Sequence, residues 1–151
     1  MTFYRLERLA RTTAAEAFSG EGGLHYALRW NSLGTRLVYA STSVALACLE
    51  TLVHMQMSVR SEERWLFTIE IPDRWIEELK NPPAGWNDEP ATIASREVGD
   101  RWIAEARSVA LLVPSVVVPV ERNGLVNPRH PRFKIDWVKG PTRFRYDPRL
   151  K

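Results

Sequence analysis

The 151-residue sequence contains one cysteine, few lysines and no long apolar run. The single cysteine, Cys48, excludes a disulfide within the chain and favours a reducing compartment. No stretch reaches the roughly 18 apolar residues that a membrane span needs, and the first residues lack the apolar segment of a signal peptide. We therefore expect a cytoplasmic protein without membrane contact.

Several common site signatures are also missing. The three histidines and Cys48 do not have the spacing of metal ligands, so no metal site is expected. Neither a GxxxxGK[ST] loop nor a GxGxxG turn after a strand occurs. Cys48 lies on the opposite side of a predicted helix from Glu50, which favours a small buried thiol over a Cys48–His54 nucleophile pair.

The residues that are present indicate one globular domain over residues 1–151. Hydrophobic residues make up 44% of the chain and charged residues 26%, which is enough apolar material for a core. Residues 122–151 carry nine Lys or Arg against two Asp, although the whole chain has a net charge of only +3. This basic segment is either a solvated face or a surface for an acidic partner, a phosphate-bearing ligand or nucleic acid.

The pattern of hydrophobic residues predicts a mixed α/β fold. Strands are predicted at Phe3–Leu6, Arg36–Ala40 and Trp65–Ile71, helices at Val44–Ser58, Asp73–Leu79 and Thr92–Val109, and two β-rich runs in LLVPSVVVPVE interrupted at Pro114-Ser115. Within residues 12–28, Ser19–Gly23 is predicted to be a flexible glycine-rich loop. Asn123-Gly124 is predicted to be a turn and residues 127–131 a loop. Phe133–Val138 and Phe144–Tyr146 are expected to add strands or a short helix. The order of elements favours a mixed sheet over a doubly wound parallel one.

Glu50 is the most informative single residue, because it interrupts an apolar helix. A helix turns about 100° per residue, which places Glu50 within about 40° of Leu46 and on the side of Leu49, Val53 and Met57. A buried carboxylate is costly unless it is paired, so a salt bridge with Arg29 or Arg36 is one interpretation. The other is a cleft-facing carboxylate that stabilises a developing positive charge.

Other candidate residues have both structural and functional interpretations. Ser115 either bonds to its own backbone or aims its hydroxyl at a ligand. Tyr39 is either a sheet aromatic or a stacking surface. Asn123 and Asn127 are most simply turn residues.

An ordered series of motifs makes the chain resemble RES-domain proteins over almost its whole length. The motifs are Arg29-Trp30-Asn31, Leu37-Val38-Tyr39-Ala40-Ser41, Ala45-Leu46-Ala47-Cys48-Leu49-Glu50 with Val53-His54, Gly99-Asp100-Arg101-Trp102, Val113-Pro114-Ser115, Asn127-Pro128-Arg129-His130-Pro131 and Tyr146-Asp147-Pro148-Arg149. The family takes its name from an Arg, a Glu and a Ser, and Arg29, Glu50 and Ser115 stand at those positions. Where the family often has Gly-Gly before the Arg-Trp-Asn motif, this chain has Ala27-Leu28.

The resemblance implies a toxin of a type II toxin–antitoxin pair, with a fold similar to mono-ADP-ribosyltransferases of the diphtheria-toxin kind. It implies NAD+ as substrate, not as a bound cofactor, and cleavage of the nicotinamide–ribose bond by hydrolysis or phosphorolysis. The implied roles are charge stabilisation for Glu50, phosphate or ribose binding for Arg29, nicotinamide stacking for Tyr39, orientation of Glu50 or amide binding for Ser115, and a supporting role for His54. The implied partner is an Xre-type helix-turn-helix antitoxin that covers the active site and alone contacts DNA.

Three alternatives stay open on the sequence. The chain is a mono-ADP-ribosyltransferase with a protein acceptor, a ribonuclease or RNA-binding toxin that uses its basic segment, or a non-catalytic binding module.

Overall fold

The fold is built on a seven-stranded sheet in a computed structural model that describes residues 1–55 and 63–150. The strands are β1 (Thr2–Arg8), β2 (Val38–Ser41), β3 (Arg64–Glu70), β4 (Ile76–Glu78), β5 (Ala110–Pro114), β6 (Arg122–Val126) and β7 (Val138–Phe144). Their order across the sheet is β4-β5-β6-β2-β1-β3-β7. All neighbours are antiparallel except β4 and β5. This arrangement confirms the predicted mixed α/β class.

Four helices accompany the sheet within the described residues: α1 (Ala14–Ala17), α2 (Gly22–His25), α3 (Val44–Val53) and α4 (Ile93–Glu105). Side-chain caps fix the starts of the two long helices. The Ser43 hydroxyl accepts the N–H of Leu46 at the start of α3, and the Thr92 hydroxyl accepts the N–H of Ser95 at the start of α4. Within the described part of the chain, no helix combines the length and the apolar composition required to cross a membrane.

The core lies on both faces of the sheet. Phe3, Phe67 and Ile69 are fully buried on one face. A second cluster, built around Trp102 and Trp30, packs α4 against the other face. The alternation predicted for Trp65–Ile71 is therefore correct, because Phe67, Ile69 and Ile71 form its buried face.

The predicted helix at Asp73–Leu79 is wrong. Asp73–Trp75 forms a single 3₁₀ turn, and β4 follows directly, parallel to β5. Local propensity favoured a helix, but backbone pairing of Ile76 to Ala110 provides hydrogen bonds that a short isolated helix lacks.

Two predictions around the central strands are also wrong. Asn123 and Gly124 lie inside β6, between β2 and β5, and do not form a turn. The Asn-Gly signal was overridden because Gly124 lets the Phe3 ring approach the sheet; a Cβ there would lie 2.4 Å from that ring. The second apolar run, Val116–Val120, forms a loop. The bend after Pro114 is as expected, although β5 is not at a sheet edge.

The predicted helices end too late, and one loop contains helical turns. α3 ends at Val53, where the N–H of His54 bonds to the Thr51 carbonyl and tightens the last turn; residues 56–58 of the prediction lie outside the described residues. α4 ends at Glu105 because Ala106 is left-handed, with φ of 46°. The loop predicted at Ser19–Gly23 runs into a helical turn, because α2 begins at Gly22.

Candidate active site

A cavity of about 660 Å³ opens where β1 and β2 separate. These strands pair in register at Tyr4 and Ser41, whereas β1 pairs with β3 along its whole length. The Arg5 guanidinium bridges the gap by donating to the Tyr39 carbonyl at 2.7 Å. The charged lining residues are Arg5, Arg8, Arg11, Arg29, Arg64, Arg96, Glu7, Glu21, Glu50 and Glu89. This volume is that of a typical small-molecule site, and the excess of arginine suits an anionic ligand.

Glu50 lies on α3 in the wall of this cavity and is half-buried. Its Oε1 atom accepts two hydrogen bonds, from Ser115 Oγ at 2.7 Å and from Asn123 Nδ2 at 2.5 Å. Within the described residues, Oε2 has no hydrogen-bond partner. One carboxylate oxygen is therefore held by the protein, and the other remains available to a ligand.

The salt bridge predicted for Glu50 is wrong. Within residues 1–55 and 63–150, Glu50 has no arginine partner; Arg36 donates to the Ser19 carbonyl, and Arg29 donates elsewhere. Neutral donors suffice because Glu50 faces a cavity instead of a closed core. The apolar stripe predicted for α3 is only partly buried, since Leu46 is buried whereas Leu49 and Val53 are exposed.

Ser115 is fully buried behind Glu50. Its hydroxyl donates to Glu50 and accepts the N–H of Val118 at 2.9 Å. The hydroxyl therefore uses both its donor and an acceptor position inside the protein. Of the two roles that the resemblance implies for Ser115, the geometry favours orientation of Glu50 over contact with a ligand.

Tyr39 places its ring in the cavity wall and its hydroxyl among buried groups. The Oη atom donates to Asn31 Oδ1 at 2.8 Å and accepts the N–H of Trp30 at 3.1 Å. Burial, with a contribution from the negative charge of Asp100, raises the pKa of Tyr39 well above its ordinary value. The hydroxyl therefore anchors the segment that carries Arg29 and stays protonated near neutral pH, which leaves the ring as the surface for a ligand.

Arg29 lines the cavity but is tied to the segment before α4. Its Nη1 donates to the carbonyls of Trp86 at 2.7 Å and Asp88 at 2.8 Å, and its Nη2 pairs with Glu89 at 3.0 Å. Three of the five N–H donors of a guanidinium are thereby used. An anionic ligand can bind the remaining two or displace the exposed Glu89 carboxylate.

Sequence reasoning missed several polar residues of the cavity. Asn123 was assigned to a turn, Ser41 stood inside a motif without a role, and Arg96 gave no signal. Arg96 donates from Nε to the Leu28 carbonyl at 3.2 Å and lines the cavity from α4. His54, which was predicted to support the site, lies exposed at the end of α3 and lines the cavity. Ser41 had a usable signal, because it comes two residues after Tyr39 and so lies on the same face once the strand is extended by one residue, as β2 is.

Potential metal ligands are dispersed. Within the described ranges, no three His, Cys, Asp or Glu side chains come together in a way that would hold a metal ion. Cys48 is a buried free thiol, as predicted, and burial raises its pKa.

The Tyr39 hydroxyl should make folding stability sensitive to alkaline pH. An unfolded tyrosine ionises near pH 10, whereas the folded chain retains the Tyr39 proton, so its stabilising contribution is complete below pH 10 and is lost as pH rises beyond it. We expect Tyr39→Phe to cost about 1–3 kcal/mol at neutral pH, because it leaves buried partners unpaired. We also expect the free energy of unfolding of Tyr39→Phe to fall less steeply above pH 10 than that of the wild type. The difference between the two slopes should reach up to about 1.4 kcal/mol per pH unit. Urea denaturation across this range checks both.

Tyr26→Phe is the matched control, because Tyr26 is 68% exposed. It should follow the wild type at every pH. Equal alkaline slopes for Tyr39→Phe and the wild type would contradict the burial of this hydroxyl.

Comparison of the sequence with known proteins identifies a family. A family model described as "RES domain" matches residues 2–147. The "Prs ADP-ribosylating toxin" of Sphingobium sp. is 41% identical, with 99% of this chain and 96% of that protein covered. A "Toxin Res" of Yersinia enterocolitica is also 41% identical over the full length of both chains, and one of Photorhabdus laumondii is 37% identical over 82% of this chain and 81% of that protein.

A solved structure supports the fold. A chain of the Mycobacterium tuberculosis MbcT–MbcA toxin–antitoxin complex superposes with a TM-score of 0.72, covering 96% of this chain and 83% of that one. The two sequences are 17% identical, so the likeness speaks for the architecture alone.

Proposed function

The chain belongs to the RES domain family, and we propose that it is the toxin of a toxin–antitoxin pair that consumes NAD+ by cleaving the nicotinamide–ribose bond. The observation that carries the proposal is the Glu50 carboxylate. It is held through one oxygen in the wall of a cavity of about 660 Å³, with its second oxygen available to a ligand. Full-length relatives that are named toxins support the biological role.

The chemistry needs a fixed negative charge more than it needs an acid. When the bond between ribose C1′ and the pyridinium nitrogen breaks, its electron pair goes to nicotinamide, which leaves as a neutral molecule. Positive charge then develops on the ribose. Glu50 stabilises this charge and accepts hydrogen bonds from ribose hydroxyls, and a half-buried site strengthens the attraction.

The other residues hold the substrate around this bond. Arg29, with its two remaining donors, binds a phosphate or the ribose, and the Tyr39 ring stacks on nicotinamide. Ser115 keeps Glu50 oriented. Water or inorganic phosphate then adds to C1′, which gives ADP-ribose with release of a proton, or an ADP-ribose phosphate ester.

A second candidate is transfer of ADP-ribose to a protein of the same cell. The cleavage step is shared, and the 41%-identical relative named an ADP-ribosylating toxin favours this acceptor. Under this alternative a nucleophilic side chain of the target takes the place of water.

RNA is a weaker candidate as target. None of the described Lys and Arg side chains within residues 122–150 lines the cavity. Several are engaged in ion pairs, such as Arg143 and Arg145 with Glu63 and Arg149 with Asp147. The basic segment is better suited to an acidic protein partner, and we propose that an Xre-type helix-turn-helix antitoxin covers the site and supplies the contact with DNA.

The acceptor can be identified from the products of NAD+ labelled in its adenine half. Purified wild-type chain is incubated with labelled NAD+ alone, with phosphate, and with cell lysate. Labelled ADP-ribose indicates hydrolysis, a labelled phosphate ester indicates phosphorolysis, and a labelled protein band indicates ADP-ribosylation. If all three fractions contain only intact NAD+, while the chain binds RNA with strong salt dependence, the RNA alternative replaces the proposal.

A further inference from the structure

Asn123 joins Glu50 to the central sheet. It lies in β6, in register with Ser41 of β2. Its Nδ2 donates to Glu50 Oε1 at 2.5 Å, and its Oδ1 accepts the Ser41 hydroxyl at 2.7 Å. A chain of hydrogen bonds therefore runs from Ser41 through Asn123 to Glu50.

The chemistry of Ser41, Asn123 and Glu50 fixes which group donates and which accepts in this series of hydrogen bonds. An ionised carboxylate can only accept, so Asn123 must present its NH₂ group to Glu50. Its carbonyl oxygen then faces Ser41, whose hydroxyl must donate. The orientation of the Asn123 amide is thus set from both ends, and Ser41 is buried, with 4% of its surface exposed.

The hydrogen bonds to Glu50 all reach the same carboxylate oxygen. Ser115 and Asn123 both donate to Oε1, one from the end of β5 and one from within β6. Two donors from different strands restrict rotation of the carboxylate about its last torsion. Oε2 consequently keeps one direction relative to the cavity wall.

We propose that Asn123, oriented by Ser41, is a positioning residue that aims Glu50 Oε2 at the substrate. The inference rests on the proposed function, because the target of Oε2 there is the ribose of NAD+. Both polar atoms of Asn123 are used inside the protein, so it acts through Glu50. Displacing a reacting group by about 1 Å can cost about a hundredfold in rate, and this is the loss expected without Asn123.

Steady-state nicotinamide release from NAD+ by the full chain tests the proposal. Asn123→Ala should lower kcat about a hundredfold and leave KM within about threefold, because substrate binding groups remain. Asn123→Asp keeps the side-chain shape but replaces the donor with an acceptor facing Glu50, and should lose at least as much. Ser41→Ala, which frees the amide to turn, should lose about tenfold.

Thr42→Val is the matched control. The Thr42 hydroxyl donates to the Arg122 carbonyl at 2.8 Å across the same pair of strands, without contact to Glu50. It should keep the wild-type kcat. A merely structural role for Asn123 would lower the melting temperature and the active fraction of Asn123→Ala and Thr42→Val alike. Because a smaller active fraction also lowers the apparent kcat, kcat is calculated per folded chain; a merely structural role would leave that value at the wild-type level.

The possible results separate this inference from the proposed function. If the wild type releases nicotinamide, and Asn123→Asp and Asn123→Ala release it with the wild-type kcat, the inference is overturned and the proposed function stays intact. Absence of release from the wild type with water, phosphate and lysate alike overturns the proposed function, and growth inhibition then decides the inference. Asn123→Asp must abolish growth inhibition as fully as Glu50→Ala; an Asn123→Asp chain that still arrests growth while Glu50→Ala does not would overturn it.

Discussion

Glu50→Gln should abolish growth inhibition and lower NAD+ cleavage by at least about a hundredfold. Glutamine keeps the shape of the side chain, and its carbonyl oxygen can still accept from Ser115 and Asn123. The substitution therefore removes the negative charge while the bonds that position it remain. Removing one preorganised donor from an oxyanion hole costs about a hundredfold or more in rate, and we expect a loss of this size by analogy for a fixed charge at a developing cation. Colony formation on induction and nicotinamide release from purified protein measure the two effects.

Glu121→Gln is the control for loss of a carboxylate. Glu121 lies near the start of α3, where it accepts from Ser43 at 3.3 Å, but it does not line the cavity. This variant should inhibit growth as the wild type does. A Glu50→Gln chain that remains as toxic as the wild type would show that the Glu50 charge has no part in the activity.

Gly99→Ala should lower the free energy of unfolding by about 1–3 kcal/mol. Helix propensity alone predicts a gain of up to about 1 kcal/mol, because Gly99 lies in the middle of α4. A Cβ at this position, however, would lie 1.7 Å from the Trp30 carbonyl oxygen and 2.8 Å from the carbonyl carbon. Because the obstacle is backbone, α4 or the segment that carries Arg29 must move. Activity should therefore fall together with stability.

Gly22→Ala supplies the matched control for adding a methyl group at a glycine. Apart from its two chain neighbours and the backbone of α2, no atom of the described residues lies within 4 Å of a Cβ at Gly22. Its urea midpoint should stay near that of the wild type, while the midpoint of Gly99→Ala falls. If Gly99→Ala proves more stable than the wild type, the close approach of α4 to Trp30 is incorrect.

The sequence was most predictive where the local pattern and the tertiary environment agree. β3 alternates cleanly because one of its faces is buried, and α3 begins after Ser43 because a serine cap satisfies free N–H groups. The predictions for β4 and Asn123 failed because the strands that hold them lie far away in the sequence: Ile76 of β4 pairs with Ala110 of β5, and Asn123 pairs with Ser41 of β2. No window of local sequence contains those contacts.

The sequence predicted which residues form the candidate site better than it predicted their hydrogen-bond partners. The motifs singled out Arg29, Tyr39, Glu50 and Ser115. The structure places the first three in the lining of one cavity and bonds the Ser115 hydroxyl to Glu50. Their partners could not be inferred. Arg29 is held by residues 57 to 60 positions further along the chain, and the Glu50–Asn123 bond spans 73 positions. Contacts of this length are fixed by the topology of the sheet.

Release of free nicotinamide from NAD+ by the purified chain tests the central claim most directly. We expect the wild type to release nicotinamide in proportion to time and protein concentration, and Glu50→Ala under the same conditions to release at most about a hundredth as much. If the wild type releases no nicotinamide with water, phosphate or lysate present, this cavity does not cleave NAD+ and the account is contradicted.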